Sequence, residues 1–141
     1  MNSHQIRFDE DLVRRYDRSG PRYTSYPTAV QFSDRFGVNE YRAVAVASNQ
    51  DPIPRPLSLY VHIPFCSSPC FYCGCTKVIT RNHEKAEAYL YRLHREIELQ
   101  SQLYDRDREV EQLHFGGGTP TFLTSLEIDR LIGKLGAHFK L

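Results

Sequence analysis

The sequence has no cysteine outside one short loop, no long apolar run and almost no net charge. None of its hydrophobic stretches approaches the length needed to cross a membrane. A formal net charge of +1 gives no general basis for binding nucleic acid. With 40% hydrophobic residues in 141, the composition is typical of a globular protein and argues against intrinsic disorder.

Lysine is scarce as well, so arginine supplies most of the positive charge, with 14 of the 18 basic residues. The planar arginine fork binds carboxylates and phosphates, which is compatible with an anionic substrate, although most arginines are expected to be solvated surface. No apolar segment typical of a signal peptide follows Met1. We therefore expect a cytoplasmic protein whose cysteines stay reduced.

The four cysteines that are present fall within ten residues, at Cys66, Cys70, Cys73 and Cys75. The first three have the spacing C-x3-C-x2-C, which puts three thiolates on one tight loop. A cubic [4Fe–4S] cluster normally takes four protein thiolates, so three would leave one iron open to a ligand that is not protein. The spacing therefore favours an iron–sulfur site that is open for chemistry.

Two other interpretations of the cysteines remain open on spacing alone. A structural zinc site needs four closed ligands, yet Cys75 lies only two positions after Cys73, and the loop would have to fold back sharply. Two disulfides are also possible in principle, but a reducing compartment disfavours them. Both are weaker than the iron–sulfur interpretation.

The hydrophobic periodicity predicts an α/β fold. Residues 57–63 alternate and are rich in β-formers, 82–104 have a helical apolar stripe, 110–115 form a second strand, and a capping box at Thr124 begins a second helix. This order predicts parallel strands, as in the first two β/α units of a barrel, over 57–141. Residues 1–56 are predicted to be an irregular or helical N-terminal arm and linker, with a short helix over 39–48.

A glycine-rich loop, Gly-Gly-Gly-Thr-Pro-Thr over 116–121, follows the second predicted strand. Its bare backbone and free amide groups would suit a carboxylate or phosphate, although it is not a P-loop. Because parallel strands end at the same edge of a sheet, this loop and the cysteine loop should lie side by side. We expect a Cβ at Gly118 to clash with a ligand there and to leave the cysteine site undisturbed.

At this point the motifs show a resemblance to a known family. The three-cysteine loop with Tyr72 before its third cysteine, followed by Gly-Gly-Gly-Thr-Pro, resembles the radical S-adenosylmethionine enzymes. The segment Leu-Tyr-Val-His-Ile-Pro-Phe-Cys over 59–66, the fourth cysteine Cys75 and the arm Gly-Pro-Arg-Tyr-Thr-Ser-Tyr-Pro-Thr over 20–28 are narrower. Together they resemble the oxygen-independent coproporphyrinogen III oxidases. The related haem chaperones share the strand and the three-cysteine loop but lack the fourth cysteine and the arm.

The resemblance implies a radical S-adenosylmethionine partial (β/α) barrel and a [4Fe–4S] cluster on Cys66, Cys70 and Cys73, with no metal role for Cys75. An electron from a donor would cleave S-adenosylmethionine at the open iron to a 5′-deoxyadenosyl radical. The radical would start two oxidative decarboxylations that convert coproporphyrinogen III to protoporphyrinogen IX in haem biosynthesis. The implied S-adenosylmethionine contacts are Tyr60, Tyr72, Gly117, Gly118 and Thr119.

Further expectations concern the N-terminal arm, His62 and the rest of the barrel. Arg22, Tyr23 and Tyr26 of the arm could close over a substrate that carries four carboxylates. His62, on the same strand face as Tyr60, is expected to be a core histidine rather than a catalytic one. A barrel needs further units beyond Leu141. We therefore expect this chain to be the N-terminal part of a longer enzyme and to be inactive alone.

Overall fold

The computed structural model describes residues 8–17, 28–71 and 73–141. The chain divides into two compact units, Met1–Arg35 and Phe36–Leu141. In the first unit, helix α1 (Glu10–Tyr16) begins at Asp9, whose carboxylate accepts a 2.9 Å hydrogen bond from the Leu12 N–H. The predicted arm contacts Arg22, Tyr23 and Tyr26, and the predicted loop contact Tyr72, lie outside the described residues.

The second unit contains the predicted α/β pattern. Its elements are α2 (Val38–Ala47), β1 (Leu57–Ile63), β2 (Phe65–Cys66), β3 (Val78–Ile79), α3 (Glu84–Ser101), β4 (Val110–Gly117) and α4 (Ser125–His138). The predicted strands and helices are all found, and β4 runs two residues further than expected, into the glycine loop. The short strands β2 and β3 were not predicted. Segment 36–56, grouped with the arm from sequence, belongs to this second unit.

Strands β1 and β4 pair in parallel, as predicted. The register puts Tyr60 opposite His114, His62 opposite Gly116 and Ile63 opposite Gly117. Helix α3 lies between the two strands along the chain, which is the connection that parallel pairing requires. Both strands therefore end at the same edge, and the loops that follow them begin side by side.

The two faces of the sheet differ in chemistry because successive strand residues point to opposite sides. On one face Val61 and Ile63 are buried, in a core that includes residues of both long helices. The helix residues in this core are Ala86, Leu90, Leu93, Ile97, Leu131 and Leu135. The other face carries Tyr60, His62 and His114, which are half-buried or exposed. The sheet therefore has an apolar face that the helices cover and a polar face that carries these three side chains.

The capping box at the start of α4 fixes where the glycine loop ends. The Thr124 hydroxyl accepts from the Glu127 N–H at 3.3 Å, and the Glu127 carboxylate accepts from the Thr124 N–H at 2.7 Å. This reciprocal pair satisfies two main-chain donors at the helix start. In the part of the chain that the structure describes, no helix is long and apolar enough to cross a membrane.

The packing of α4 gives a test of the core. Leu131 is fully buried, whereas Leu126 on the same helix is 59% exposed. Because truncation of a buried leucine leaves a cavity, Leu131→Ala should lower the free energy of unfolding by about 3 kcal/mol. The control Leu126→Ala should cost about 0.5 kcal/mol or less. Urea denaturation of both variants measures the difference, and equal losses would contradict the described packing.

Candidate functional site

The cysteine loop and the glycine loop are joined by main-chain hydrogen bonds at the ends of the paired strands. The Gly118 N–H donates to the Ile63 carbonyl at 2.7 Å, and the Thr119 N–H donates to the Phe65 carbonyl at 2.8 Å. The predicted adjacency of the two loops is therefore confirmed. The expectation that the glycine-loop amides are free for a ligand is wrong for these two residues, because both amides are already paired.

Gly118 is required by the cysteine loop itself. A Cβ at this position would lie 2.6 Å from the Phe65 carbonyl oxygen, 2.9 Å from Cys66 Sγ and 2.9 Å from the Pro64 carbonyl carbon. Two of these three atoms are backbone and cannot move cheaply. The expectation that a side chain here would leave the cysteine site undisturbed is therefore wrong, since its first contacts are with Cys66 and its neighbours.

The two preceding glycines make room for side chains of β1. A Cβ at Gly116 would lie 2.7 Å from the Tyr60 ring, and one at Gly117 would lie 2.7 Å from the His62 ring. Gly117 also has φ of +101°, a conformation that L-residues with a side chain rarely adopt. The glycines therefore let the rings of Tyr60 and His62 lie directly over β4.

A chain of hydrogen bonds ties these rings to the far end of the cysteine loop. His62 Nε2 lies 2.9 Å from the Thr76 carbonyl oxygen, and His62 Nδ1 lies 3.2 Å from the Tyr60 hydroxyl. Because a carbonyl only accepts, Nε2 is the donor to Thr76, and Nδ1 pairs with the Tyr60 hydroxyl. The Tyr60 ring stacks on His114 with centroids 5.7 Å apart, and the Tyr89 hydroxyl donates to the His62 carbonyl.

This arrangement corrects the expectation for His62. The structure places its side chain on the polar face of the sheet, half-buried and bonded through both ring nitrogens, rather than in the apolar core. Sequence reasoning also missed His114, although period-2 alternation from Gly116 puts it on the same face. The Thr76 carbonyl had no signal in the sequence, because a main-chain acceptor on a loop depends on the fold.

The cysteines differ in their environment. Cys66 is 7% exposed, Cys70 and Cys75 are exposed, and Cys73 is half-buried. All four are free thiols, and the Cys73 N–H donates to the Cys70 carbonyl at 3.4 Å. Among the described residues, no group of three His, Cys, Asp or Glu side chains is arranged to hold a metal ion. The loop carries the thiols, but they do not converge on one point.

The electrostatics of the loop distinguish Cys73 from Cys75. A hydrogen bond from the Cys75 main chain and the positive charge of Lys77 lower the pKa of the Cys73 thiol. The neighbouring Cys73 raises the pKa of the Cys75 thiol. The thiolate is the form of a cysteine that binds metal.

A cavity of about 320 Å³ borders the site along β1. Tyr60 and His62 line one part of it, and Tyr41, Tyr89 and Glu96 line another. The Tyr41 hydroxyl donates to Gln100 Oε1 at 2.6 Å. Burial, together with the neighbouring Tyr104, raises the pKa of Tyr41 to about 12, so its phenol stays protonated as a donor.

The fold and the paired loops define a class of protein, and comparison with known structures identifies it. The structure of coproporphyrinogen III oxidase from Escherichia coli, described as a radical SAM enzyme, matches with a TM-score of 0.77 at 46% identity. The match covers 96% of this chain and 29% of that one. This chain therefore has part of a radical SAM fold, as predicted.

Curated sequences identify the family. The oxygen-independent coproporphyrinogen III oxidase of Pseudomonas aeruginosa is 52% identical over 136 residues, which are 96% of this chain and 29% of the relative. The protein of the same name from Mannheimia haemolytica is 46% identical over 135 residues, 96% of this chain and 89% of that relative. The chain belongs to the family of oxygen-independent coproporphyrinogen III oxidases. It spans about 29% of the length of the first relatives that it matches, and no family model matches it.

The contact between the two loops predicts how Gly118→Ala will behave. Because the new Cβ would push on Cys66 and on the backbone before it, the buried thiol should become accessible. In metal-free reduced protein, the Cys66 thiol should react with a thiol reagent several-fold faster in the variant, as measured by peptide mapping. Gly133→Ala is the control, because a Cβ there meets no atom within 4 Å. Unchanged Cys66 reactivity in Gly118→Ala would contradict the close packing.

Proposed function

We propose that the protein containing this chain converts coproporphyrinogen III to protoporphyrinogen IX by oxidative decarboxylation of two propionates, with a [4Fe–4S] cluster and S-adenosylmethionine. The proposal rests on the close contact between the cysteine loop at Cys66 and the glycine loop, at the ends of β1 and β4. Membership of a family whose relatives bear this activity in their names supports it.

Cys66, Cys70 and Cys73 are the proposed cluster ligands. Their chemistry fits, because three soft thiol donors lie on one loop and all are free. Cys66 lies against the glycine loop, whereas Cys70 and Cys73 themselves lie in neither a helix nor a strand. Binding of a cluster would therefore bring the two later cysteines to the first, a coupling of folding to binding that metal sites commonly show.

When both are bound, the cluster and S-adenosylmethionine supply a primary alkyl radical that is strong enough to abstract an unactivated hydrogen. The residues of this chain hold and orient them. Gly117, Gly118, Thr119 and Tyr60 are the proposed contacts to S-adenosylmethionine, together with Tyr72 beyond the described residues.

The groups left free in the glycine loop favour one end of that ligand. The amides of Gly118 and Thr119 are occupied, whereas the Gly118 carbonyl accepts no main-chain hydrogen bond among the described residues. A carbonyl oxygen accepts hydrogen bonds, so it suits an amino group rather than a carboxylate. The loop is therefore proposed to contact the amino group of the methionine moiety.

The polar face of the sheet, which carries Tyr60, His62 and His114, would line one side of the reaction site. Both ring nitrogens of His62 are already bonded, so its proposed role is to hold Tyr60 and the cysteine loop in place rather than to transfer a proton.

Arg22, Tyr23 and Tyr26 remain proposed contacts to the substrate carboxylates. Reduction of the cluster also requires an electron donor.

Cysteine variants test the ligand assignment. In protein reconstituted without oxygen, Cys66→Ser, Cys70→Ser and Cys73→Ser should each lose most of the bound iron and sulfide. Cys75→Ser should retain both, because the cluster takes only the first three thiolates. Iron and sulfide analysis with visible absorption measures the outcome. Full loading in Cys70→Ser, or loss in Cys75→Ser alone, would contradict the assignment.

The activity itself is tested with the protein expressed from its complete reading frame. Reduced anaerobically and supplied with S-adenosylmethionine and coproporphyrinogen III, it should form protoporphyrinogen IX, methionine and 5′-deoxyadenosine. Chromatography of the three products measures the reaction. A colourless protein that holds only zinc and forms none of them would contradict the proposal and would indicate a metal-stabilised binding module instead.

A further inference from the structure

The side chain of Thr119 reaches the sulfur of Cys66. Its hydroxyl oxygen lies 3.5 Å from Cys66 Sγ, in the geometry of a hydrogen bond. A threonine hydroxyl has a single proton to donate, and here that proton is directed at the sulfur. Cys66 is buried and Thr119 is exposed, so this contact is partly buried, whereas Cys70 is exposed.

The main chain fixes the hydroxyl in this place. The Thr119 N–H is bonded to the Phe65 carbonyl, and the preceding residue, Gly118, has no side chain to push the loop away from Cys66. Thr119 has φ of −119° and ψ of 99°, an extended conformation that suits any β-branched residue. A valine at this position would therefore keep the backbone and lose only the hydroxyl.

We propose that Thr119 is a positioning residue that donates a hydrogen bond to the Cys66 ligand of the cluster and raises the reduction potential of that cluster. The inference rests on the proposed function, since it requires the cluster. Hydrogen bonds to ligand sulfurs are among the factors that set the potential of iron–sulfur clusters. An added electron makes the sulfur more negative and strengthens such a bond, so the reduced form is favoured.

This role can be separated from a contact between Thr119 and S-adenosylmethionine. Donation to sulfur uses the only hydroxyl proton and leaves the oxygen lone pairs for a ligand. The reduction potential measured without S-adenosylmethionine reports the bond to sulfur alone. The affinity for S-adenosylmethionine, measured separately by calorimetry, reports any contact to the ligand.

The experiment compares three variants of the protein expressed from its complete reading frame and reconstituted with iron and sulfide. Thr119→Val removes the hydroxyl, and Thr119→Ser keeps it. Thr121→Val is the matched control, because Thr121 is an exposed threonine two residues further on. In a redox titration without S-adenosylmethionine, Thr119→Val should shift to a more negative midpoint potential. Thr119→Ser should stay close to the unmodified protein, and Thr121→Val should not shift.

The outcomes are distinguishable. An unchanged potential in Thr119→Val with the cluster in place, or an equal shift in Thr119→Ser, would overturn the inference and leave the proposed function standing. If Thr119→Val fails to hold a cluster, retention in Thr119→Ser supports the role of the hydroxyl, and loss in both overturns it. Absence of a cluster from the unmodified protein would contradict the proposed function itself.

Discussion

The structure of the site depends on the close approach of two backbones at Gly118. The Gly118 N–H donates to the Ile63 carbonyl, and the Thr119 N–H donates to the Phe65 carbonyl. These two hydrogen bonds hold the glycine loop against the start of the cysteine loop. Any side chain at Gly118 would meet backbone within 2.6 Å. Because Cys66 follows Phe65 directly in the chain, these hydrogen bonds set the position of the first cysteine. The motif Gly-Gly-Gly-Thr-Pro therefore contacts Cys66 directly and is part of the cysteine site.

The alternation of side chains along β1 links the contact at Gly118 to the rest of the second unit. Val61 and Ile63 anchor the strand in the core, so Tyr60 and His62 necessarily point to the opposite face. There the glycines of β4 admit both rings, and the His62 ring reaches the Thr76 carbonyl. The cysteine loop is thus held at its start by the glycine loop and at its end by His62. Between these points, Cys70 and Cys73 themselves lie in neither a helix nor a strand.

The sequence was sufficient to predict β1, β4, α3 and α4 and the adjacency of the two loops, because alternation at 57–63 and the capping box at Thr124 are strong local patterns. Parallel pairing followed from the order of the elements. The occupied amides, the contact of Gly118 with Cys66 and the place of His62 could not be predicted, because they depend on how two distant loops meet. The cysteine spacing and the motif resemblance pointed to the family, which relatives at 46–52% identity confirm.

In the proposed site, three thiolates hold a four-iron cluster with one iron open beside the glycine loop. Mössbauer spectroscopy of protein reconstituted with ⁵⁷Fe distinguishes this open iron from the other three. We expect a [4Fe–4S] spectrum in which one quarter of the iron changes its parameters when S-adenosylmethionine is added. Four irons that do not respond to S-adenosylmethionine, or the absence of a cubic cluster, would contradict it.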